Sequence, residues 1–139
     1  MGFKLGTKSL SNLKGVHPDL VKVVKRAIEL TECDFTITEG LRTKERQAQL
    51  LKEKKTTTSN SRHLTGHAVD LAAWVDNTVS WEWKYYYQIA DAMKKAALEL
   101  NVSIEWGGVW DKEMSQYTSA EEASKDYVKR RKAKGQSVF

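Results

Sequence analysis

Hydrophobic side chains recur at helical spacing in two segments of the chain, which predicts two amphipathic helices. The first covers residues 18–31, where Pro18 suits a first helical turn and Asp19 favours the positive end of the helix dipole. The second covers residues 85–100, and its apolar stripe consists of Ile89, Met93, Ala96, Ala97 and Leu100. These two segments are expected to be the most hydrophobic helices of the fold.

Two further segments have a weaker, more polar helical pattern. Residues 44–54 form one predicted helix, with Leu50 and Leu51 as its expected buried contacts. Residues 119–132 form the other, behind Ser119 as a natural N-cap. Neither helix carries a continuous apolar stripe, so both are expected to lie largely at the surface.

Short segments with period-two alternation predict three strands. They cover residues 35–38, 68–74 and 102–106, and a turn is expected at Asp76-Asn77. The middle strand places Asp70 on the side opposite Val69 and Leu71. Residues 54–62 are polar and of low complexity, which is typical of a surface loop. Helices and strands alternate irregularly around one expected sheet, so the predicted fold class is α+β in a single domain.

Composition and length are those of an ordinary globular protein. The chain has 139 residues, of which 40% are hydrophobic and 29% charged. Cys33 is the single cysteine and cannot form an internal disulfide. No apolar run is long enough to cross a bilayer, so no membrane insertion is expected. The N-terminus lacks the apolar stretch of a signal peptide, so synthesis in the cytoplasm followed by separate release is expected.

The net charge of +5 raises the possibility of a nucleic-acid partner. Residues 1–30 carry six basic and two acidic side chains, and residues 119–139 carry six basic and three acidic. The remaining middle segment has eleven basic against thirteen acidic side chains. A protein that binds nucleic acid usually lines its working groove with Lys and Arg, so a nucleic-acid partner is disfavoured. The basic ends fit attraction to a polyanionic surface such as an acidic cell wall, or simple solubility.

The segment Ser61-Arg-His-Leu-Thr-Gly-His-Ala-Val-Asp70 carries the most informative chemistry. His63 and Asp70 are seven residues apart and joined by a glycine turn, which can bring imidazole and carboxylate to one point. This ligand pair suits zinc, which also needs a third protein ligand and an open position. Spacing alone gives equal weight to a simple hydrogen bond between the two side chains within a loop.

Three blocks together resemble the zinc peptidases that cleave bacterial cell-wall peptides. Ser-x-His-x-x-Gly-x-Ala-x-Asp at residues 61–70 is similar to their zinc signature. Residues 39–47 match a Gly-x-Arg element with a following Gln, and Trp106-Gly-Gly-Val-Trp110 matches a tryptophan-glycine-glycine block. The family comprises D-alanyl-D-alanine carboxypeptidases and L-alanyl-D-glutamate endopeptidases, and its small members are phage endolysins. The implied fold is D-Ala-D-Ala carboxypeptidase/Hedgehog-like, with a small, mainly antiparallel sheet packed by helices.

The resemblance implies a role for each matching residue. His63 and Asp70 would be zinc ligands, and Arg42 would hold the scissile carbonyl oxygen or a substrate carboxylate. Ser61 and Gln47 would contact the substrate, which is the stem peptide of peptidoglycan. Without the resemblance, a surface ion pair would be the preferred interpretation of Arg42, and its partner would be Glu39 or Glu45.

Other histidines and the aromatic residues are expected to have structural roles. His67 is predicted not to be a ligand, and His17 is predicted to cap the helix that follows it. The five tryptophans fall between residues 74 and 110 and are expected mostly in core and rim packing. Trp106 and Trp110 are the candidates for the floor of a substrate groove.

The resemblance is incomplete at the C-terminal end. The family's third zinc ligand is a histidine on a late strand, preceded by an acidic general base, and this sequence has no histidine after residue 67. Ser137-Val-Phe139 is expected to begin that final strand, so the domain at residues 1–139 is expected to lack the rest of it. Asp111, Glu113 and Glu105 are possible substitutes for the base, although their spacing does not favour them. Such a chain is predicted to bind zinc weakly and to have little or no peptidase activity.

Two classes of function follow from these observations. The first is a zinc endopeptidase of the bacteriophage endolysin type, a monomer that acts on the cell wall after release from the host cytoplasm. The second is a non-catalytic module that binds cell-wall peptide through Arg42, Ser61 and an aromatic groove. A basic nucleic-acid binder is a weaker third possibility.

Overall fold

The computed structural model describes residues 3–55 and 61–135. Its helices are α1 (Thr7–Asn12), α2 (Pro18–Leu30), α3 (Lys44–Lys52), α4 (Trp83–Leu100) and α5 (Ala120–Ala133). Its strands are β1 (Phe35–Glu39), β2 (Asp70–Val75), β3 (Thr78–Ser80), β4 (Glu105–Trp106) and β5 (Val109–Glu113). Single 3-10 turns cover Arg62–Thr65 and Met114–Gln116. This mixture of helices and antiparallel strands confirms the predicted α+β class.

The strands form two separate sheets, where the sequence predicted one. The order β1-β2-β3 makes a three-stranded antiparallel sheet, and β4-β5 forms a hairpin of its own. In the larger sheet, Phe35 pairs with Ala73 and Ile37 with Leu71, so both strands place apolar residues on the same side. The expected turn at Asp76-Asn77 joins β2 to β3, and both of its residues have positive φ.

The core lies between α2, α4 and the larger sheet. Val23, Val24, Ala27 and Ile28 of α2 are buried, as the helical spacing predicted. The buried residues of α4 extend from Ile89 to Ala97. Leu100 was expected in the same stripe but is 39% exposed, because it lies one turn beyond Ala97, beside the C-cap Asn101.

Two other predicted contacts or boundaries change in the structure, and one predicted cap is confirmed. Helix α3 buries Gln47 and Leu50, which are three residues apart on one face, and therefore leaves Leu51 40% exposed. Residues 102–104 were expected in a strand but contact the core without sheet pairing, so β4 is only two residues long. Ser119 caps α5 as predicted, accepting a hydrogen bond from the Glu122 backbone N–H at 3.3 Å.

Helix α1 was not predicted, and it closes the free edge of β1. Ser9 Oγ accepts a hydrogen bond from the Ile37 backbone N–H at 3.0 Å, and Asn12 donates to the Ile37 carbonyl at 2.8 Å. These side chains replace the strand that would otherwise pair there. Most of the expected loop at 54–62 and the expected final strand lie outside the described residues. In the part of the chain that is described, no helix is long and apolar enough to cross a membrane.

Candidate active site

A tight turn between α3 and β2 brings His63 close to Asp70. Ser61 begins it, and its Oγ accepts a hydrogen bond from the His63 backbone N–H at 3.2 Å. Gly66 ends the 3-10 turn with a φ of 77°, a left-handed conformation that glycine adopts without strain. The chain then reverses into β2, whose first residue is Asp70. Local turn geometry thus closes the seven-residue gap between the two side chains.

His63 is buried, and the contacts of its two ring nitrogens fix the orientation of the ring. Its Nδ1 lies 2.8 Å from the Gly40 carbonyl oxygen, which can only accept, so Nδ1 is the donor. Its Nε2 lies 3.4 Å from Oδ1 of Asp70. In the neutral ring Nε2 therefore carries the free electron pair and faces the carboxylate.

Glycine at position 40 makes the contact with His63 possible. A side chain there would collide with the Asn12 carbonyl oxygen and with Val16 Cγ2. The residue follows directly after β1, in which a bulge between Ile37 and Glu39 brings Glu39 opposite Asp70. The polar residues Glu39, at the end of β1, and Asp70, at the start of β2, therefore lie next to each other.

Arg42 is held in this cluster by three acceptors. Its Nε donates to Glu39 Oε1 at 2.6 Å, and its Nη1 donates to Gln47 Oε1 at 2.8 Å. Its Nη2 lies 3.5 Å from Asp70 Oδ2, and only 9% of its side chain is exposed. The predicted partner Glu39 is therefore present, but the ion pair is buried within the cluster instead of lying at the surface.

The charges of the cluster shift two pKa values. Burial raises the pKa of Asp70, but the hydrogen bond and charge of His63 and the charge of Arg42 outweigh it, so the net pKa is lowered. Burial lowers the pKa of His63, but its bonds to Asp70 and Gly40 outweigh burial and raise the pKa overall. Asp70 is thus ionised at neutral pH, which is the form that binds metal ions.

The separation of the donor atoms fits two ligands of one zinc ion. Ligand atoms at about 2.0–2.1 Å from zinc with tetrahedral angles lie about 3.3 Å from each other. The distance from His63 Nε2 to Asp70 Oδ1 is 3.4 Å. A histidine ligand also usually donates its other ring N–H to a carbonyl or carboxylate, as Nδ1 does here.

No group of three or more His, Cys, Asp or Glu side chains is arranged to hold a metal ion within residues 3–55 and 61–135. Two of the suggested substitutes for a general base have other contacts. Glu105 forms an ion pair with Arg62 at 3.3 Å, and Glu113 caps the second 3-10 turn. Of the residues predicted as ligands or as the base, the described part of the chain brings together only His63 and Asp70.

The remaining predicted residues lie in three different environments. Ser61 is half-buried at the start of the turn. Gln47 is 1% exposed and lies behind Arg42, so it is placed to hold that side chain. His67 is exposed and hydrogen-bonded to Thr65, whereas His17 Nδ1 accepts from the Asp19 backbone N–H and caps α2 as predicted.

The prediction that the tryptophans mostly pack in the core and its rim is wrong for most of them. Four are exposed by at least 40%, and only Trp106 packs against the core. Its ring lies over Gly108, where a Cβ atom would meet it at 2.5 Å, and the ring of Trp110 lies over Gly107. The two glycines therefore make room for the two indole rings as well as for the hairpin turn.

Sequence reasoning missed two contributions to the cluster. Glu39 was considered only as a surface partner of Arg42, and Gly40 only as the glycine of the Gly-x-Arg element. For Glu39, the one signal in the sequence was its position three residues before Arg42. The backbone contact that joins the two loops, from Arg42 N to the His63 carbonyl at 2.8 Å, has no sequence signature.

Comparison with known proteins gives consistent results. A family model described as phage L-alanyl-D-glutamate peptidase matches residues 1–129. The L-alanyl-D-glutamate peptidase of Escherichia phage T5 is 34% identical over 119 residues, which cover 80% of this chain and 84% of that protein. The L-alanyl-D-glutamate peptidase of Listeria phage A118 is 28% identical over 107 residues, 75% of this chain but only 37% of that protein. The crystal structure of the Serratia marcescens L-Ala D-Glu endopeptidase ChiX matches with a TM-score of 0.72 and 47% identity, over 76% of this chain and 80% of that one.

Proposed function

Because the chain belongs to the phage L-alanyl-D-glutamate peptidase family, we propose that it hydrolyses the amide bond between L-alanine and D-glutamate in peptidoglycan stem peptides. The observation that carries this proposal is the cluster of His63, Asp70 and Arg42. It combines a pair of metal-ligand side chains with a fixed cation at a partly open surface. Metal ligands and a fixed cation are two of the contributions that amide hydrolysis by a metallopeptidase needs, although the described residues bring no third ligand beside them.

We propose that Nε2 of His63 and Oδ1 of Asp70 are two ligands of a zinc ion. The separation of these two atoms and the hydrogen bond at Nδ1 support this assignment. When bound, zinc supplies Lewis-acid catalysis, because it polarises a carbonyl group and lowers the pKa of water. Oδ2 of Asp70 faces Arg42, which holds the carboxylate so that Oδ1 faces His63.

Arg42 is proposed to stabilise the negative charge that develops on the scissile carbonyl oxygen. A guanidinium group has five N–H donors, and the contacts described above use three of them. The two others, one on each Nη, are available to a substrate oxygen. Because the group is already held in place and mostly buried, it loses little entropy on binding and acts in a weakly screened environment.

Ser61 and Gln47 are proposed to serve the substrate in different ways. The Ser61 hydroxyl already accepts from His63, so its own proton is available to a peptide carbonyl at the half-exposed rim. Gln47 is too deeply buried for direct contact in this arrangement. We propose that it acts on the substrate through Arg42.

The decisive experiment is digestion of purified peptidoglycan with zinc present, followed by mass spectrometry of the released peptides. Because only two protein ligands are proposed for zinc, we expect slow release of peptides with new D-glutamate amino termini, which disappear in His63→Ala and after chelation of zinc. His67→Ala is the matched control, because this exposed histidine is four residues away and should keep activity.

Two other results would contradict the proposal. Loss of terminal D-alanine alone would indicate a carboxypeptidase. An unchanged wall that retains the protein would indicate the non-catalytic binding module that the sequence also allows.

We further propose that the protein acts on the wall as a monomer. This would give a single species near 15.8 kDa in sedimentation velocity, and a species of twice that mass would contradict it.

A further inference from the structure

Exposed tryptophans are concentrated at one end of the larger sheet, and the proposed chemistry does not use them. Trp81 is 75% exposed, Trp83 47% and Trp74 40%. All three lie in the ten residues that include β3 and lead into α4. Exposed apolar patches on a protein surface often mark a binding site.

The most exposed ring rests on a fixed base. Trp81 stacks on Tyr86 with a centroid distance of 6.3 Å and an interplanar angle of 4°. The Tyr86 hydroxyl donates to the Ser80 carbonyl at 2.8 Å and accepts from the Ala73 backbone N–H at 3.1 Å. These bonds tie Tyr86 to β2 and β3, so one face of Trp81 is supported while the other faces solvent.

A second group of rings is built from the next residues of the chain, at the start of α4, and from β4. Trp83 stacks on Tyr87 at 5.8 Å, and Trp106 meets both rings edge-on at 6.5 Å and 6.3 Å. Trp106 is in turn seated on Gly108 of the hairpin. We name the five rings of Trp81, Trp83, Tyr86, Tyr87 and Trp106 the aromatic platform.

The aromatic platform is linked to the candidate active site through β2 and through one ion pair. Ser80 pairs with Ala73, which is three residues after Asp70 on β2, a separation of about 10 Å along the strand. On the other side, the ion pair from Arg62 to Glu105 joins the turn that holds His63 to β4, which ends at Trp106. A substrate bound at His63 and Asp70 could therefore extend onto the rings.

The charge around the platform favours an uncharged occupant. Glu82 and Lys84 flank the exposed indoles and form an ion pair with each other at 3.8 Å. The two residues contribute no net charge, so they offer little attraction to a polyanion such as nucleic acid. Flat aromatic faces instead suit the C–H faces of sugar rings, because the negative face of the ring attracts the weakly positive hydrogens.

We propose that the aromatic platform binds the glycan strand of peptidoglycan, with an N-acetylated sugar ring stacked on Trp81. This inference rests on the proposed function, because the L-alanine of a stem peptide is joined directly to a muramyl sugar. The L-alanyl-D-glutamate bond therefore lies only one residue, about 3.5 Å of extended chain, from that attachment. An enzyme that cleaves this bond in the intact wall must therefore accommodate sugar close to its active site.

The first test measures sugar binding without any hydrolysis. A tetramer of β-1,4-linked N-acetylglucosamine is titrated into the 139-residue protein and followed by NMR. We expect saturable shifts, with affinity reduced at least about fivefold in Trp81→Ala, by analogy with the loss of one stacked ring in other aromatic sites. Leu98→Ala is the control, since Leu98 is a 55% exposed apolar residue near the other end of α4 and outside the platform.

The second test compares two substrates, a stem peptide still linked to its disaccharide and the same peptide free. Trp81→Ala should lower kcat/KM for the linked peptide and leave that for the free peptide unchanged. Failure of the wild type to cleave either substrate would overturn the proposed function, while the sugar titration would still decide the role of the platform.

Three outcomes would overturn the glycan proposal. The Trp81→Ala variant could bind the tetramer as tightly as the wild type. It could lose equal activity on both substrates, which would assign the platform to the peptide. Finally, a change from dimer to monomer on substitution of Trp81 would assign the platform to contacts between copies of this chain.

Discussion

At the scale of single residues, the candidate active site depends on how Arg42 is held as much as on the residues proposed to bind zinc. Its guanidinium is fixed by Glu39, Gln47 and Asp70, all on different elements. One of these acceptors, Asp70, is also paired with His63. A change in any acceptor is therefore transmitted to both the proposed oxyanion donor and the proposed zinc ligands.

Replacement of Gln47 tests this dependence. Gln47→Leu leaves Arg42 Nη1 without its buried acceptor, which should lower the free energy of unfolding by about 1–3 kcal/mol. It should also lower kcat by about a hundredfold with a smaller effect on KM, since a misplaced donor chiefly weakens the transition state. Urea unfolding and steady-state kinetics measure the two effects.

Two further variants make the Gln47 test specific. Gln47→Glu keeps an acceptor beside Arg42 and should recover most of the activity. Gln49→Leu, on the exposed face of the same helix, should change neither quantity. Loss of stability in Gln47→Leu with normal kcat would show that Gln47 has only a structural role.

Two buried tyrosine hydroxyls provide a second contrast at this scale. The Tyr117 hydroxyl has no hydrogen-bond partner among the residues that the structure describes, and burial, with a contribution from Asp91, raises its pKa to about 12. Tyr117→Phe should therefore leave stability unchanged or raise it. Tyr86→Phe removes two hydrogen bonds and should cost about 1–3 kcal/mol. Thermal unfolding compares the two, and equal losses would contradict the assignment.

The sequence could predict which residues come together but not how they are packed. The glycine turn between His63 and Asp70 is a local feature, and local spacing was sufficient to suggest their approach. Gln47 is buried and accepts a hydrogen bond from Arg42, only five residues away, but a polar residue type gives no sign of such burial. The family resemblance instead implied that Gln47 contacts the substrate.

At the scale of secondary structure, long periodic segments were predictable and short ones were not. Helices α2 and α4 follow their apolar spacing because one face of each is buried against the other. Helix α1 has six residues and too short a pattern to detect, yet it closes the edge of β1. The hairpin β4-β5 likewise depends on indole rings seated on Gly107 and Gly108.

The turn ended by Gly66 is the element most sensitive to a small change. A Cβ atom at Gly66 would collide with the Gly15 carbonyl oxygen, and the φ of 77° is unfavourable for alanine. Gly66→Ala should therefore cost at least about 1–2 kcal/mol and displace His63 from Asp70. The free energy of unfolding measured in urea and the zinc affinity measured by calorimetry should both decrease.

The control for Gly66→Ala is Gly6→Ala. Gly6 has a φ of −77°, and a Cβ atom there meets no other atom within 4 Å. This second variant should keep wild-type stability and zinc affinity. If the two alanine variants behaved alike, the close approach of Gly66 to Gly15 would not determine the site.

At the scale of the whole molecule, charge and chemistry are separated along the chain. The net charge of +5 comes from residues 1–30 and 119–139, whereas the segment with the candidate site has a slight acidic excess. Helix α5 carries much of the positive charge, and its last turn contains Arg130, Arg131 and Lys132. This separation lets basic surface attract an acidic wall polymer at a distance from the candidate site, where the cation Arg42 is paired with Glu39 and Asp70.

Salt and charge reversal test whether that attraction matters. Retention on purified cell walls should fall as NaCl rises from about 0.1 M to 1 M, because the Debye length falls from about 10 Å to about 3 Å. Cleavage of a free stem peptide should change much less, since the charges that act on Asp70 are those of His63 and Arg42 and not those of the basic segments. The pair Lys129→Glu and Lys134→Glu should reduce retention at low salt more than the pair Lys52→Glu and Lys95→Glu. All four lysines are exposed, and both pairs change the net charge equally, so only the location of the charge differs. Equal losses in the two double variants would mean that net charge alone draws the protein to the wall, and retention that is insensitive to salt would exclude electrostatic attraction as its cause.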